Sequence, residues 1–307
     1  LTLRFSIFQD SKKGGRSLNE DRMGYTFTKD ALLLVVCDGM GGHYGGELAA
    51  EMAVQCLVER FQKLARPILR NPSQFLDESF LAAHRVIEYE TIKRNYPESP
   101  RTTIVACVVQ HGAAFWAHAG DSRLYAYRAG NLIGRTRDHS KLELLQAQGV
   151  MLGADPSQHP DRNKLYNCLG SPNDPLVEHG GPLVLKPDDC LLLCSDGLWS
   201  SVSDGAMRTA LTDNNVMAGV PQLIDLALQE AGDSSDNVTA IGMNWLSDEP
   251  AKPDLPETDT LTMRKPGYAS TIQTVDGTDA DQGLTEEEID AAVAEIRNAI
   301  KRSEPKS

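Results

Sequence analysis

Residues Ala31–Cys37 form an unbroken apolar run, Ala-Leu-Leu-Leu-Val-Val-Cys, that stops abruptly at Asp38. The run is too short for an ordinary helix and carries β-branched side chains, so it reads as a strand deep in a sheet. The pattern recurs. Phe115-Trp116-Ala117-His118-Ala119-Gly120 ends at Asp121, Leu191-Leu192-Leu193-Cys194-Ser195 ends at Asp196, and Asp236 stands just ahead of Val238. An aspartate beside a glycine at a strand end is commonly a turn residue. The joint pattern says more, because each carboxylate is carried to the mouth of a buried strand. With Asn19-Glu20-Asp21 near the start, such acids repel one another unless cations neutralise them, and hard oxygen donors suit Mg²⁺ or Mn²⁺ better than zinc.

Around these runs, alternation and turn residues predict strands over Leu3 to Phe8, Met23 to Thr28, Thr102 to Val109, Ala114 to Ala119, Arg123 to Tyr127 and Val238 to Trp245. His111-Gly112 and Ala129-Gly130-Asn131 read as hairpin turns. Helical periodicity covers Gly46 to Leu64, Ser73 to Tyr96 with Ser73 as N-cap, a short piece near Lys141 to Gln148, Ser203 to Leu211 and Val220 to Ala231. Strand runs joined by short turns and interrupted by paired helices predict antiparallel sheets with helices packed outside, an α+β fold.

The 43 acidic against 30 basic residues give a net charge of −13, with no basic block, which argues against nucleic acid as a partner. No apolar run approaches the roughly 18 residues of a membrane span. The six cysteines form no CxxC pair, and four of them lie inside apolar runs, so they read as reduced core thiols of a cytoplasmic protein. The opening LTLRFSIFQDSKKGG lacks the pattern of a signal peptide.

From Ser247 the composition changes. Residues 247–307 carry 14 acidic and 7 basic residues and few large apolar ones, so 247–283 reads as an acidic flexible linker after a domain spanning 1–246. In 284–302, Thr285 and Glu288 fit a capping box, and Ile289, Ala292, Val293, Ile296 and Ile300 line one helical face. This amphipathic helix either folds back on its own domain or docks on a partner.

The glycine-rich turn Asp38-Gly39-Met40-Gly41-Gly42-His43 lies between strand and helix, where dinucleotide folds hold a pyrophosphate. Here Asp38 stands in the anion's path and no P-loop lysine follows. A bare phosphate is disfavoured there; a metal-bridged one is not.

Taken in order, Arg16-Ser-Leu-Asn-Glu20-Asp21, Asp38-Gly39-Met40-Gly41-Gly42-His43, Gly120-Asp121-Ser122-Arg123, Ser195-Asp196-Gly197-Leu198-Trp199 and Ser235-Asp236-Asn237-Val238-Thr239 closely resemble the metal-dependent protein phosphatases of the PP2C family, bacterial branch. The match spans nearly all of residues 1–246. The resemblance implies an α/β/β/α sandwich with a two-metal centre at one edge and a substrate-selecting flap over Asp138 to about Ser171. It implies that Asp38 bridges two Mn²⁺ or Mg²⁺ ions, that the Gly39 carbonyl completes the first site, and that Glu20, Asp196 and Asp236 hold the second. By the same resemblance Asp121, with Asp196, matches a weaker third-metal site. Asp21 acts from behind on metal-bound water, Asn237 supports the ligands, and Arg16 grips the substrate phosphate. The implied reaction is direct attack of a metal-bridging hydroxide on phosphoserine or phosphothreonine, opposing a Ser/Thr kinase. The alternative is a catalytically silent pseudophosphatase acting as a binding module.

Two departures from the family stand out. Met40, common in the bacterial branch, stands where eukaryotic relatives carry a histidine that serves as the acid for the leaving group, which leaves that task to a metal-bound water or to His43. Pro100-Arg101-Thr102-Thr103 carries Arg101 where many bacterial relatives have glycine, and Arg101 reads as a solvated strand end.

Overall fold

The apolar runs are explained by which way alternate side chains point. A computed structural model describes residues 3–40, 45–148, 164–213 and 215–246, and the backbone of 269–273. Strand β3 (Ala31–Cys37) is buried along its whole length. Its Ala31, Leu33, Val35 and Cys37 pack under helices α1 (Gly46–Leu64) and α2 (Pro72–Lys93), whereas Leu32, Leu34 and Val36 face a second sheet. A strand covered on both faces has no polar side to offer, hence the unbroken run.

Two antiparallel sheets follow from this. One is ordered β10 (Glu178–Val184), β7 (Ala113–Ala119), β6 (Ile104–Gln110), β3, β2 (Arg22–Phe27) and β13 (Ala269–Gln273). The other is ordered β1 (Phe5–Lys12), β12 (Val238–Trp245), β11 (Cys190–Cys194), β8 (Arg123–Arg128) and β9 (Asn131–Arg135). β11 repeats the logic of β3. Leu191 and Leu193 face the opposite sheet, while Cys190, Leu192 and Cys194 lie under the short helix α4 (Asp196–Trp199) and helices α5 (Asp204–Asp213) and α6 (Val216–Ala231). Three apolar layers therefore alternate with two sheets, giving the expected α/β/β/α sandwich. Among the described residues no helix is long and apolar enough to cross a membrane.

The hairpin turns stand where expected, with His111, Gly112, Ala129 and Gly130 all at positive φ. Several element bounds differ from the sequence reading, for local reasons. α2 starts earlier because Asn71, not Ser73, is the cap. Its side chain accepts the Gln74 N–H at 3.2 Å, and Pro72 takes the first helical position where no N–H is needed. α6 starts at Val216 behind the Asn215 cap and carries Pro221 inside. Helix α3 (Lys141–Ala147) is capped by Ser140.

β9 and β10 carry no clean alternation. β9 is an exposed edge, and β10 contains Gly180-Gly181-Pro182, absorbed by a register shift between Gly180 and Leu183. A Cβ on Gly180 would lie 2.1 Å from Trp116 Nε1, so the indole needs a glycine there.

Within the span read as a linker, 269–273 instead forms β13, antiparallel to β2. Main-chain pairing asks little of composition, which is why a segment poor in large apolar residues joins the sheet. The helix expected over 284–302 lies outside the described residues. All six cysteines are free, and all are buried except the half-buried Cys56.

Candidate metal centre

Asp38 leaves β3 with its backbone pinned on both sides. Its N–H donates to Thr103 Oγ1 at 3.1 Å, and its carbonyl accepts from the Thr103 N–H at 2.9 Å and from Thr102 Oγ1 at 3.0 Å. The Thr103 N–H is thereby diverted from the ladder, and the strand expected over Thr102 to Val109 divides into β5 (Arg101–Thr102) and β6. Gly39 pairs with Thr102 in a two-residue ladder between β4 (Gly39–Met40) and β5. A Cβ on Gly39 would lie 2.3 Å from the Gly46 carbonyl oxygen and 2.6 Å from that of Glu20. Only glycine lets the Glu20 loop, the Asp38 turn and the start of α1 meet.

The other acids reach the same place from separate segments. Glu20 is set by Asn237, whose Oδ1 accepts the Glu20 N–H at 2.8 Å while its Nδ2 donates to the carbonyls of Lys13 and Leu18. Asp21 is buried and accepts the Ser195 hydroxyl at 2.7 Å. Asp196 opens α4, and Asp236 is ion-paired to the Arg16 guanidinium at 2.7 Å. Asp121 follows Gly120, and its carbonyl accepts the Trp199 indole N–H at 2.9 Å.

Bringing so many carboxylates together out of water raises their proton affinity. Burial, and then the Asp196 charge, push Asp38 and Asp121 well above the carboxylate range. Asp196 is pushed up to about 6 by burial and by Asp236, and its carboxyl shares a hydrogen bond with that of Asp38. Asp21 is pushed up to about 7 by burial, against hydrogen bonds from Thr239 and Ser195. Burial and the neighbouring Glu47 raise Glu20. Arg16 is held above its usual value because Asp236, Asp196 and Asp38 outweigh its partial burial.

Glu20 Oε1 and Glu47 Oε2 are both buried with no hydrogen-bond partner. Mutually repelling carboxylates and orphaned buried oxygens are what a hard divalent cation would satisfy, so the donor set fits the expected metals.

His43 falls outside the described residues, and Arg101 is exposed, as a solvated strand end is. Asp138 is held by Arg123 through two 2.7 Å bonds. Thr102, Thr103 and Ser195 were missed by sequence reasoning. Their one legible signal was adjacency to the acid-bearing strands, since hydroxyl residues are too common to single out alone.

Comparison with known proteins bears on this arrangement. Residues 9–218 match the family model of protein phosphatase 2C. The chain belongs to that family. A protein phosphatase 2C-type protein of Streptococcus pyogenes is 31% identical over 226 residues, covering 73% of this chain and 90% of the relative. The serine/threonine protein phosphatase PstP of Mycobacterium tuberculosis is 30% identical over 242 residues, 78% of this chain and 45% of that protein. Among solved structures, the serine/threonine phosphatase Stp1 of Staphylococcus aureus superposes with a TM-score of 0.70 at 28% identity, over 80% of this chain and 96% of that one. The catalytic domain of PstP in complex with two manganese ions gives 0.65 at 28% identity, over 80% and 99%. The fold of this phosphatase 2C is thus that of its bacterial relatives.

Proposed function

We propose that this chain is a metal-dependent protein phosphatase that hydrolyses phosphoserine and phosphothreonine on protein substrates, opposing a Ser/Thr kinase. The observation that carries the reading is the convergence of Glu20, Asp38, Asp121, Asp196 and Asp236 from strand ends of both sheets, with burial and mutual repulsion raising the proton affinity of four of them. Serine/threonine phosphatases among its relatives support the substrate class. In this reading Asp38, the Gly39 carbonyl, Glu20, Asp196 and Asp236 hold two Mn²⁺ or Mg²⁺ ions, and Asp121 with Asp196 holds a third. Bound there, the cations supply an activated water and neutralise charge on the phosphoryl oxygens.

The chain's own residues do the rest. Arg16 lies at the mouth with its side chain 58% exposed, anchored on Asp236 and aimed where a phosphate enters. Asp21, behind the ligands, holds or passes a proton near neutral pH while Ser195 fixes its orientation. Asn237 ties the Glu20 loop to the start of β12. The Met40 thioether has no proton to give, so the leaving oxygen takes its proton from another group or from water.

Residues 1–246 form the phosphatase domain, 247–283 an acidic linker interrupted by β13, and 284–302 a docking segment. Free buried thiols support a cytoplasmic setting. The silent-module alternative is disfavoured because every expected ligand position keeps its acid.

The test is manganese-dependent phosphate release from a phosphothreonine peptide, with Asp38→Asn and a chelator as controls. Release abolished in both supports the proposal. A folded, Mn²⁺-loaded chain that releases no phosphate overturns it.

A further inference from the structure

His118, His139 and Glu178 place one potential ligand atom each within 4.8 Å of one another. The hydrogen bonds around His139 show that this is not a metal site. Its Nδ1 accepts the Gly120 N–H at 3.2 Å and lies 2.6 Å from Asn167 Nδ2. The Asn167 amide cannot be turned round, because Nδ2 donates to the Leu176 carbonyl at 2.7 Å and Oδ1 accepts the Leu176 N–H at 3.0 Å. With two donors facing Nδ1, the neutral ring carries its proton on Nε2, which points at Glu178 Oε2, 3.3 Å away. A nitrogen that carries a proton is not a ligand.

The same residue also donates its own N–H to the Gly120 carbonyl at 3.0 Å. His139, only 1% exposed, thus occupies both backbone polar groups of Gly120. Gly120 has φ +118°, and a Cβ there would lie 2.6 Å from Thr103 Cβ, so this peptide has little room to shift. The next residue is Asp121. On its other side, His139 accepts the Tyr166 N–H at 3.0 Å, stacks on His118 with ring centres 4.5 Å apart, and faces β10 through Glu178. Through its backbone and its ring, His139 therefore joins the Asp121 turn, the strand β10 and the returning arm of the flap segment.

We propose that His139 is a positioning residue for Asp121: through Gly120 it sets the place of that carboxylate and links it to the Tyr166–Asn167 arm. The proposal rests on the reading of Asp121 as a cation ligand. It requires the Nδ1 acceptor, and not the Nε2 proton, to be the essential part of the ring.

Two polar substitutions separate these parts. His139→Asn keeps an acceptor near the Nδ1 position, whereas His139→Gln reaches toward Glu178 and leaves the Gly120 N–H without one. The readouts are calorimetric Mn²⁺ titration of the full chain and NMR-detected amide exchange at Gly120, with Asp121→Asn as reference. His139→Gln is expected to weaken the Mn²⁺-binding step that Asp121→Asn removes by about 10-fold or more, and to speed Gly120 exchange. His139→Asn is expected to leave both near the unmodified values.

Equal behaviour of the two variants, or Gly120 exchange in His139→Gln as slow as in the unmodified chain, overturns the proposal. If Asp121→Asn leaves every Mn²⁺ step unchanged, the ligand reading of Asp121 fails, and the Gly120 exchange still decides whether His139 positions that turn.

Discussion

Asp121 is buried, and Asp38 and Asp196 half-buried, where carboxylates are poorly stable as anions, and the chain spends folding free energy to keep them there. The sign of the resulting pH dependence follows from proton binding. Between the ordinary aspartate range and about 7, the folded chain retains protons on Asp196 and Asp21 that the unfolded chain has released. Stability of the metal-free protein therefore falls as pH rises through that window, and cation affinity rises with it. Melting curves in chelator at about pH 5 and about pH 8 should show the lower melting temperature at the higher pH, with Mn²⁺ raising it most there. A metal-free melting temperature that climbs with pH would contradict the assignment of these shifts. At this scale the acids were legible because each breaks an apolar run. The groups that aim them were not, since the value of Thr102, Thr103 or Ser195 depends on a neighbour 64 to 174 residues away.

Among elements, the buried strands could be read directly, because covering both faces forces an apolar run and an acid at its end is conspicuous. β9, β10 and β13 could not, since edge strands are held by main-chain bonds that leave little trace in side-chain pattern. The contact between β8 and the segment after β9 is a good place to test the energetics. Arg123 makes a two-pronged pair with Asp138, both largely buried, and its guanidinium lies 3.5 Å from the centre of the Trp199 ring. Arg123→Ala leaves the Asp138 charge buried without its partner and should cost about 3–5 kcal/mol. Urea unfolding in chelator measures this apart from any metal effect. A loss below about 1 kcal/mol would mean that the pair is solvated in the folded protein.

For the whole molecule, the sandwich and its family were legible from the order of five motifs, while the tail was only partly so. Composition marks where the core stops at about residue 246, but not that 269–273 returns to the β2 edge. A chain ending at 246 exposes the outer backbone groups of Met23 to Phe27, and one ending at 274 keeps them paired. Both should hydrolyse a small phosphate ester like the full chain, and the shorter should self-associate more strongly in sedimentation. Failure of the shorter chain to fold would show that the tail belongs to the domain.

The buried cysteines have a consequence for oxidative stress. Burial pushes the Cys168 thiol up to about 11 and those of Cys56 and Cys190 up to about 12, with Cys37, Cys107 and Cys194 also raised. Peroxide attacks thiolates, and near neutral pH these groups supply almost none. Turnover should therefore persist in peroxide that silences a phosphatase with a cysteine nucleophile, so that dephosphorylation by this fold is insulated from oxidant.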